Sequence, residues 1–159
     1  MANNYPLVFN TTTNRIEELA SGDNLDLTSS GLILTQITET VANNFNTVLA
    51  PSTGTLTINT ALSTVVLGDI NASVTTWAFT NVSTTNSKAT TITLIIDGDT
   101  AQTYGDACTV NGSAVSGGVK WVGGTAPDAS NNFDILTFTI VRDGAGTINV
   151  FGSSSVNFS

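Results

Sequence analysis

The sequence predicts an all-β fold: an antiparallel β-sandwich or jelly-roll-like domain with a short N-terminal β extension, assembling into oligomers. The 159 residues include 28 threonines, 17 asparagines and 15 serines. Threonine is β-branched and suits half-exposed strands, whereas asparagine and serine suit turns. Apolar and polar residues alternate over short runs that end at Gly, Asn, Asp or Ser, as in all-β domains.

Residues 1–52 form the predicted N-terminal extension, a segment for attachment or oligomerisation. Its predicted strands are residues 5–9, 16–19, 25–27, 32–37 and 46–49. The best helix candidate, "NRIEELASG" at 14–22, is too short to stand as an isolated helix and is interpreted as a strand or turn. The extension has few large apolar residues, so we expect it to pack on the second part or on other chains.

Residues 53–159 form the predicted sandwich domain and hold both tryptophans and five of the seven phenylalanines. Its predicted strands are residues 54–60, 63–67, 74–79, 91–96, 107–110, 119–122, 135–141 and 147–151. The turn "RDGAG" between the last two strands carries the Asp-Gly pair typical of hairpins. A stretch of this length suits a sandwich or jelly roll of about eight strands.

The charge pattern argues against two classes of partner. The formal net charge is −8, and the only basic residues are Arg15, Lys88, Lys120 and Arg142. Four scattered cations cannot neutralise a phosphate track, so we expect no nucleic-acid binding. No apolar run is long enough for a membrane helix, and the first ten residues lack the features of a secretory signal, so we expect no membrane insertion.

Few residues point to catalysis. The chain has no histidine, so His-based triads and His metal ligands are excluded, and Cys108 is a single cysteine interpreted as a buried apolar residue. The serines lack a nucleophile-elbow motif, and no two carboxylates stand out as the acid and base of a glycosidase. The sequence therefore predicts a non-enzymatic protein without cofactors, with a small polysaccharide hydrolase as the remote alternative.

Asp97 and Asp99 in "IIDGDT" are weak candidates for a surface or ligand contact. Two carboxylates around a glycine could hold calcium, but the further oxygen ligands of a calcium loop are missing. An Asp-Gly turn is the preferred interpretation, and no metal site is assigned.

The two tryptophans differ in their setting. Trp77 lies in the alternating run "SVTTWAFT", which favours a core position. Trp121 ends a strand just before Gly123, Gly124 and Pro127. Its indole could stack on a sugar, or it could close one end of the core while the glycines let the backbone pass near it. The second interpretation is preferred, and Trp121 remains a weak candidate contact residue.

Two stretches resemble parts of bacteriophage virion proteins. "YPLVFNTTTNRIEELASGDNLDL" resembles a short N-terminal module found often in virion proteins of cyanobacterial phages. "VNGSAVSGGVKWVGGTAPDASNNFDILTFTIVRDGAGTINVFG" is similar to the C-terminal β-domain of many phage tail-fibre and virion structural proteins, as is "NFS" at 157–159. Such domains carry a K-W-x-G-G-T-A-P corner followed by a D-I-L-T-F strand.

The resemblance implies a virion structural protein that acts by assembly. Fibre relatives carry long shaft segments between the two modules, whereas the linker here is only residues 28–52. The resemblance therefore implies a short fibre-like appendage or knob, with a capsid decoration or cement protein as the alternative. It further implies a homotrimer that contacts other capsid or tail proteins, and a host-surface glycan as a further partner. In the same interpretation, Asp134 caps the turn before the strand at 135–141.

Overall fold

The computed structural model describes residues 7–10, 15–18, 39–44, 47–49, 54–98 and 102–159. The chain divides into two compact units, Met1–Ile37 and Thr38–Ser159. The described residues contain strands, turns and bends but no helix, so the all-β prediction is confirmed for them. The predicted strands at 25–27 and 32–37 lie outside the described residues, and the predicted domain boundary at residue 52 stays a prediction.

The first unit contains one described hairpin. Strand β1 (Leu7–Asn10) pairs antiparallel with β2 (Arg15–Glu18), with Phe9 opposite Ile16. The stretch that was the best helix candidate is therefore a strand at 15–18, as the sequence analysis preferred.

The second unit contains ten described strands. They are β3 (Val41–Ala42), β4 (Thr55–Asn59), β5 (Val65–Ile70), β6 (Val74–Thr80), β7 (Lys88–Gly98), β8 (Tyr104–Val110), β9 (Ser113–Ala114), β10 (Val119–Trp121), β11 (Phe133–Arg142) and β12 (Ile148–Phe158). They form a six-stranded sheet in the order β10-β12-β11-β7-β5-β3 and a four-stranded sheet in the order β4-β6-β8-β9.

The first six of these strands wind like the coils of a short solenoid. The chain alternates between the sheets, so that β3, β5 and β7 lie in one sheet and β4, β6 and β8 in the other. Successive coils pair in parallel: Leu56 of β4 lies beside Trp77 of β6, which lies beside Cys108 of β8. In the larger sheet, Val65 of β5 lies beside Thr93 of β7 in the same way.

The last strands close the larger sheet in a different way. Strand β11 pairs antiparallel with β7 along ten residues, and β12 returns antiparallel to β11 through the Asp143–Gly146 turn. The hairpin predicted at "RDGAG" is confirmed. Strand β10 then pairs parallel with the start of β12.

The prediction of an antiparallel domain therefore needs correction. Five pairings of the second unit are parallel: β3–β5, β4–β6, β5–β7, β6–β8 and β10–β12. Parallel neighbours need a crossover, and short turns had suggested hairpins instead. Here the crossover is a strand of the opposite sheet, so a turn as short as residues 71–73 still leads to parallel pairing.

The hydrophobic core lies between the two sheets. Trp77 and Phe79 of β6 reach Phe138 of β11, with ring centroids 4.8 and 5.2 Å apart. All three side chains are fully buried, as are Ile92 and Leu94 of β7. Along β6 and β11 the buried residues alternate with partly exposed ones, because successive side chains of a strand point to opposite faces.

Candidate functional site

Trp121 closes one end of the core. Its side chain is 7% exposed, and it contacts Phe138 and Trp77 edge-on, at centroid distances of 5.4 and 6.4 Å. Edge-to-face contacts of this kind stabilise aromatic clusters. The indole has no exposed face for stacking on a sugar, so this environment agrees with the preferred interpretation of Trp121 as a core residue.

Gly152 makes room for this tryptophan. It lies opposite Trp121 in the parallel pairing of β10 and β12. A Cβ atom at Gly152 would lie 2.6 Å from Cε3 of Trp121, closer than side-chain carbons approach one another. The absence of a side chain at position 152 therefore fixes how deeply the indole sits, and nothing in the sequence pattern pointed to this glycine.

The loop after Trp121 is a corner whose two ends are fixed by backbone hydrogen bonds. Gly123 and Gly124 both have φ near 85°, in the left-handed region that glycine adopts without strain. The backbone N–H of Gly124 donates to the carbonyl of Trp121 at 3.0 Å, which closes the turn. At the far end, Ala129 donates a backbone hydrogen bond to Gln102 just before β8. The corner is therefore held at both ends.

Among the described residues of the second unit, Asp134 is the charged residue that is buried. Its carboxylate is fully buried and accepts four hydrogen bonds. The donors are the hydroxyl of Tyr104 (2.9 Å), the backbone N–H and the hydroxyl of Ser130 (2.8 and 2.5 Å) and the backbone N–H of Asn157 (2.9 Å). Burial, and next the Asp134 charge, raises the pKa of Tyr104, which stays protonated as a donor. The sequence analysis expected Asp134 to cap the preceding turn, and the two hydrogen bonds from Ser130 form this cap.

Asp97 lies beside another carboxylate that the sequence analysis did not connect with it. The parallel register of β5 and β7 places Asp69 opposite Asp97, and Phe133 lies on the other side of Asp97. One oxygen of Asp69, Oδ1, is buried without a hydrogen-bond partner. Asp99 lies outside the described residues. Across those residues, no group of three or more His, Cys, Asp or Glu side chains is arranged to hold a metal ion.

Three shallow hollows lie among the described residues of the second unit. The first, about 600 Å³, is lined by residues 80–85 and Asn111, none of which is ionisable. A second, about 450 Å³, lies between Asp106 and the corner after Trp121. A third, about 300 Å³, lies on the outer face of the larger sheet around Phe151. Their linings offer hydroxyl, amide and backbone groups for hydrogen bonding.

Cys108 is a core residue of β8, as expected. Its side chain is 4% exposed, and burial together with the nearby Asp106 charge raises the pKa of the thiol to about 11. The thiol is therefore protonated at neutral pH and is a poor nucleophile.

The surface of the second unit exposes several large apolar side chains. They are Val41, Val48, Leu62, Val122, Phe133, Phe151, Val156 and Phe158. Val41 and Val48 lie at the β3 edge of the six-stranded sheet, and Val156 and Phe158 lie on β12 near the opposite edge. The sequence shows that these residues are apolar, but it does not show that some of them lie at the edges of a sheet.

Comparison of the chain with protein-family models, curated protein sequences and solved structures finds no match. None of the described segments forms a helix with the length and apolar character needed to cross a bilayer.

Proposed function

We propose that the chain is a non-enzymatic structural protein of a bacteriophage virion, exposed as a short fibre-like appendage or knob. The observation that carries the proposal is the packing of residues 119–141, within the stretch that resembles the tail-fibre β-domain. Trp121 packs on Phe138, and Asp134 anchors the intervening turn through Ser130. The residues that carry the resemblance therefore pack together in one corner of the domain. This packing supports a structural role for the stretch.

The proposed mechanism is assembly. Residues 1–52 attach the protein to the virion or intertwine with sister chains, and residues 53–159 project outward. In this proposal the two facing sheets form a β-sandwich or jelly-roll-like domain. The protein assembles as a homotrimer. Exposed apolar side chains at sheet edges support self-association, because such edges pair readily with further strands.

The partners of the proposed protein are other capsid or tail proteins and a host-surface glycan. Neutral hydroxyl and amide groups line the hollow at residues 80–85 and Asn111, which suits hydrogen bonding to an uncharged sugar. The second candidate function is a capsid decoration or cement protein. It is favoured by the short linker at 28–52, since a long fibre would need a shaft there.

Copy number on purified virions tests the proposal. Virions from a phage whose genome encodes this chain would be digested and quantified against isotope-labelled peptides, and imaged with a gold-labelled antibody. Tens of copies located at the tail support the appendage, and hundreds of copies over the head support the decoration protein. The absence of the chain from purified virions would refute both.

A further inference from the structure

Both edges of the six-stranded sheet have backbone groups without a described partner strand. Strand β12 has eleven residues, but β10 pairs only with residues 150–152. On that side, residues 153–158 pair with no described strand. At the opposite edge, β3 (Val41–Ala42) and the bridge residue Val48 are outermost among the described residues.

The two edges lie at the same level along the strand direction. One row of paired residues crosses the whole sheet: Ser153, Thr137, Thr93, Val65 and Val41. A second row, five residues further along β12, crosses it in the same way: Phe158, Phe133, Asp97, Asp69 and Val48. A neighbouring copy that continues the sheet in these same rows would place residues 153–158 beside β3 and Val48.

The direction of the strands agrees with such a continuation. Strand β12 is antiparallel to β11, which is antiparallel to β7, and β7 is parallel to β5 and β3. Strand β12 is therefore parallel to β3. A β3 edge placed beside β12 would extend the parallel pairing that β10 already makes with the first part of β12.

The chemistry of the edges points to a second copy of this chain as the occupant. Neither residues 41–49 nor residues 153–158 contain a charged residue or a proline, the usual devices that keep edge strands apart. Val41, Val48, Val156 and Phe158 are each between 41% and 51% exposed. In a chain of net charge −8, contact between uncharged edges brings copies together with the least repulsion.

We propose that copies of this chain associate head to tail, with residues 153–158 of one copy pairing with the edge formed by β3 and Val48 of the next. Such a contact joins two different surfaces, so it gives a closed ring if the rotation closes and a filament if it does not. A ring of three copies is the homotrimer of the proposed function, on which this inference rests for its biological role.

Two single-edge variants test the contact. Val156→Lys places a charge on the β12 edge, and Val48→Lys places one on the opposite edge; Thr85→Lys, in an exposed loop, is the matched control. Sedimentation velocity at high micromolar protein concentration should show a closed ring or longer, filament-like species for the wild type and for Thr85→Lys. Each edge variant alone should be monomeric.

Mixing the two edge variants separates this geometry from a symmetric one. Each variant keeps the edge that the other has lost, so an equimolar mixture should form dimers and no larger species. A monomeric wild type, or a mixture that stays monomeric, would overturn the proposal. Circular dichroism and melting temperature would check folding, and Ser155→Lys replaces Val156→Lys if that variant unfolds.

This outcome is independent of the virion experiment. Edge pairing by a chain that is absent from virions would refute the proposed function and leave the contact in place. A virion protein that is monomeric in solution would refute the contact and the homotrimer, and leave the virion role in place.

Discussion

Trp77 and Trp121 lie in the same hydrophobic core, but only the indole N–H group of Trp77 has a hydrogen-bond partner. Nε1 of Trp77 donates to the carbonyl of Gly105 at 2.9 Å, whereas Nε1 of Trp121 is buried without a hydrogen-bond partner. An unpaired buried donor costs about 1–3 kcal/mol. Trp121 therefore stabilises the fold through packing alone, against the cost of its own N–H group.

Trp121→Ala should lower the free energy of unfolding by about 3–5 kcal/mol, because it removes a buried aromatic ring and leaves a cavity against Phe138. Urea unfolding monitored by circular dichroism measures the loss. Trp121→Phe should lose much less, since no hydrogen bond is broken. Unchanged stability of Trp121→Ala together with lost binding to host cells would instead assign Trp121 to a ligand contact.

The raised pKa of Cys108 predicts that the protein loses stability at alkaline pH. Its pKa is about 11 in the folded protein, above its ordinary value of 9.0, so folding favours the protonated thiol. This contribution is complete below pH 9 and is lost as the pH rises towards 11, because the unfolded chain then releases the proton more readily. Urea midpoints measured across that range should fall more steeply for the wild type than for Cys108→Ala.

The same burial should protect the thiol from reagents. Native protein at pH 8 should react with iodoacetamide far more slowly than protein unfolded in urea, as measured by mass spectrometry. Equal rates in the two states would show that the site around Cys108 opens freely.

At the scale of elements, the pairing of β10 with β12 depends on one small residue. Gly152→Ala should destabilise the protein by about 1–3 kcal/mol, because the new methyl group overlaps Trp121 and displaces it from the core. Chemical unfolding would measure this change. Gly144→Ala is the control, since a Cβ there lies no closer than 3.6 Å to Ser87 and its φ is not in the left-handed region. Equal stability of the two variants would contradict the close packing at Gly152.

The parallel pairing of β5 and β7 places like charges side by side. Asp97→Asn should therefore raise the free energy of unfolding by about 0.2–1 kcal/mol at low salt, because it removes the repulsion from Asp69. The gain should shrink in high salt, which screens partly exposed charges. Asp128→Asn, the same change at an exposed position in the corner, should leave stability nearly unchanged. A similar gain in both variants would attribute the effect to net charge alone.

Much of the strand pattern follows from side-chain alternation. The strand expected at residues 74–79 is Val74–Thr80, and that expected at 135–141 is Phe133–Arg142. Strands β3 and β9 were not predicted, because two residues are too few to show alternation. Alternation reports which side chains point inward and says nothing about which strand lies beside which.

The candidate site shows the same limit. Burial of Trp121 could be anticipated from its place at a strand end between apolar runs. Its contact with Gly152 and the pairing of Asp69 with Asp97 depend on register between distant strands, which no local pattern reveals. The cap made by Asp134 was expected from the resemblance, but its bond to Asn157, 23 residues later, was not.

At the scale of the whole molecule, low charge density and a net charge of −8 act together. Charged residues are 10% of the chain, so its surface depends on hydroxyl and amide groups for hydration. Copies repel each other weakly at long range, although the proposed edges are themselves uncharged. The balance between these effects depends on ionic strength.

Self-association should therefore strengthen with salt. Raising the ionic strength from low to physiological values shortens the screening length to about 8 Å and reduces the repulsion between copies, while edge hydrogen bonds and apolar contacts remain. Sedimentation equilibrium across a salt series would measure the association constant. A constant that falls with salt would point to an interface held by ion pairs instead of uncharged edges.

The four hydrogen bonds to Asp134 also link three separate segments of the second unit. A desolvated carboxylate is tolerable only while its donors stay in place, and these come from β8, from the corner and from the end of β12. If residue 157 frays, the charge loses a donor but remains buried beneath Tyr104. Fraying at the end of β12 is therefore opposed by the cost of leaving a buried carboxylate one donor short, in addition to the loss of its pairing with β11.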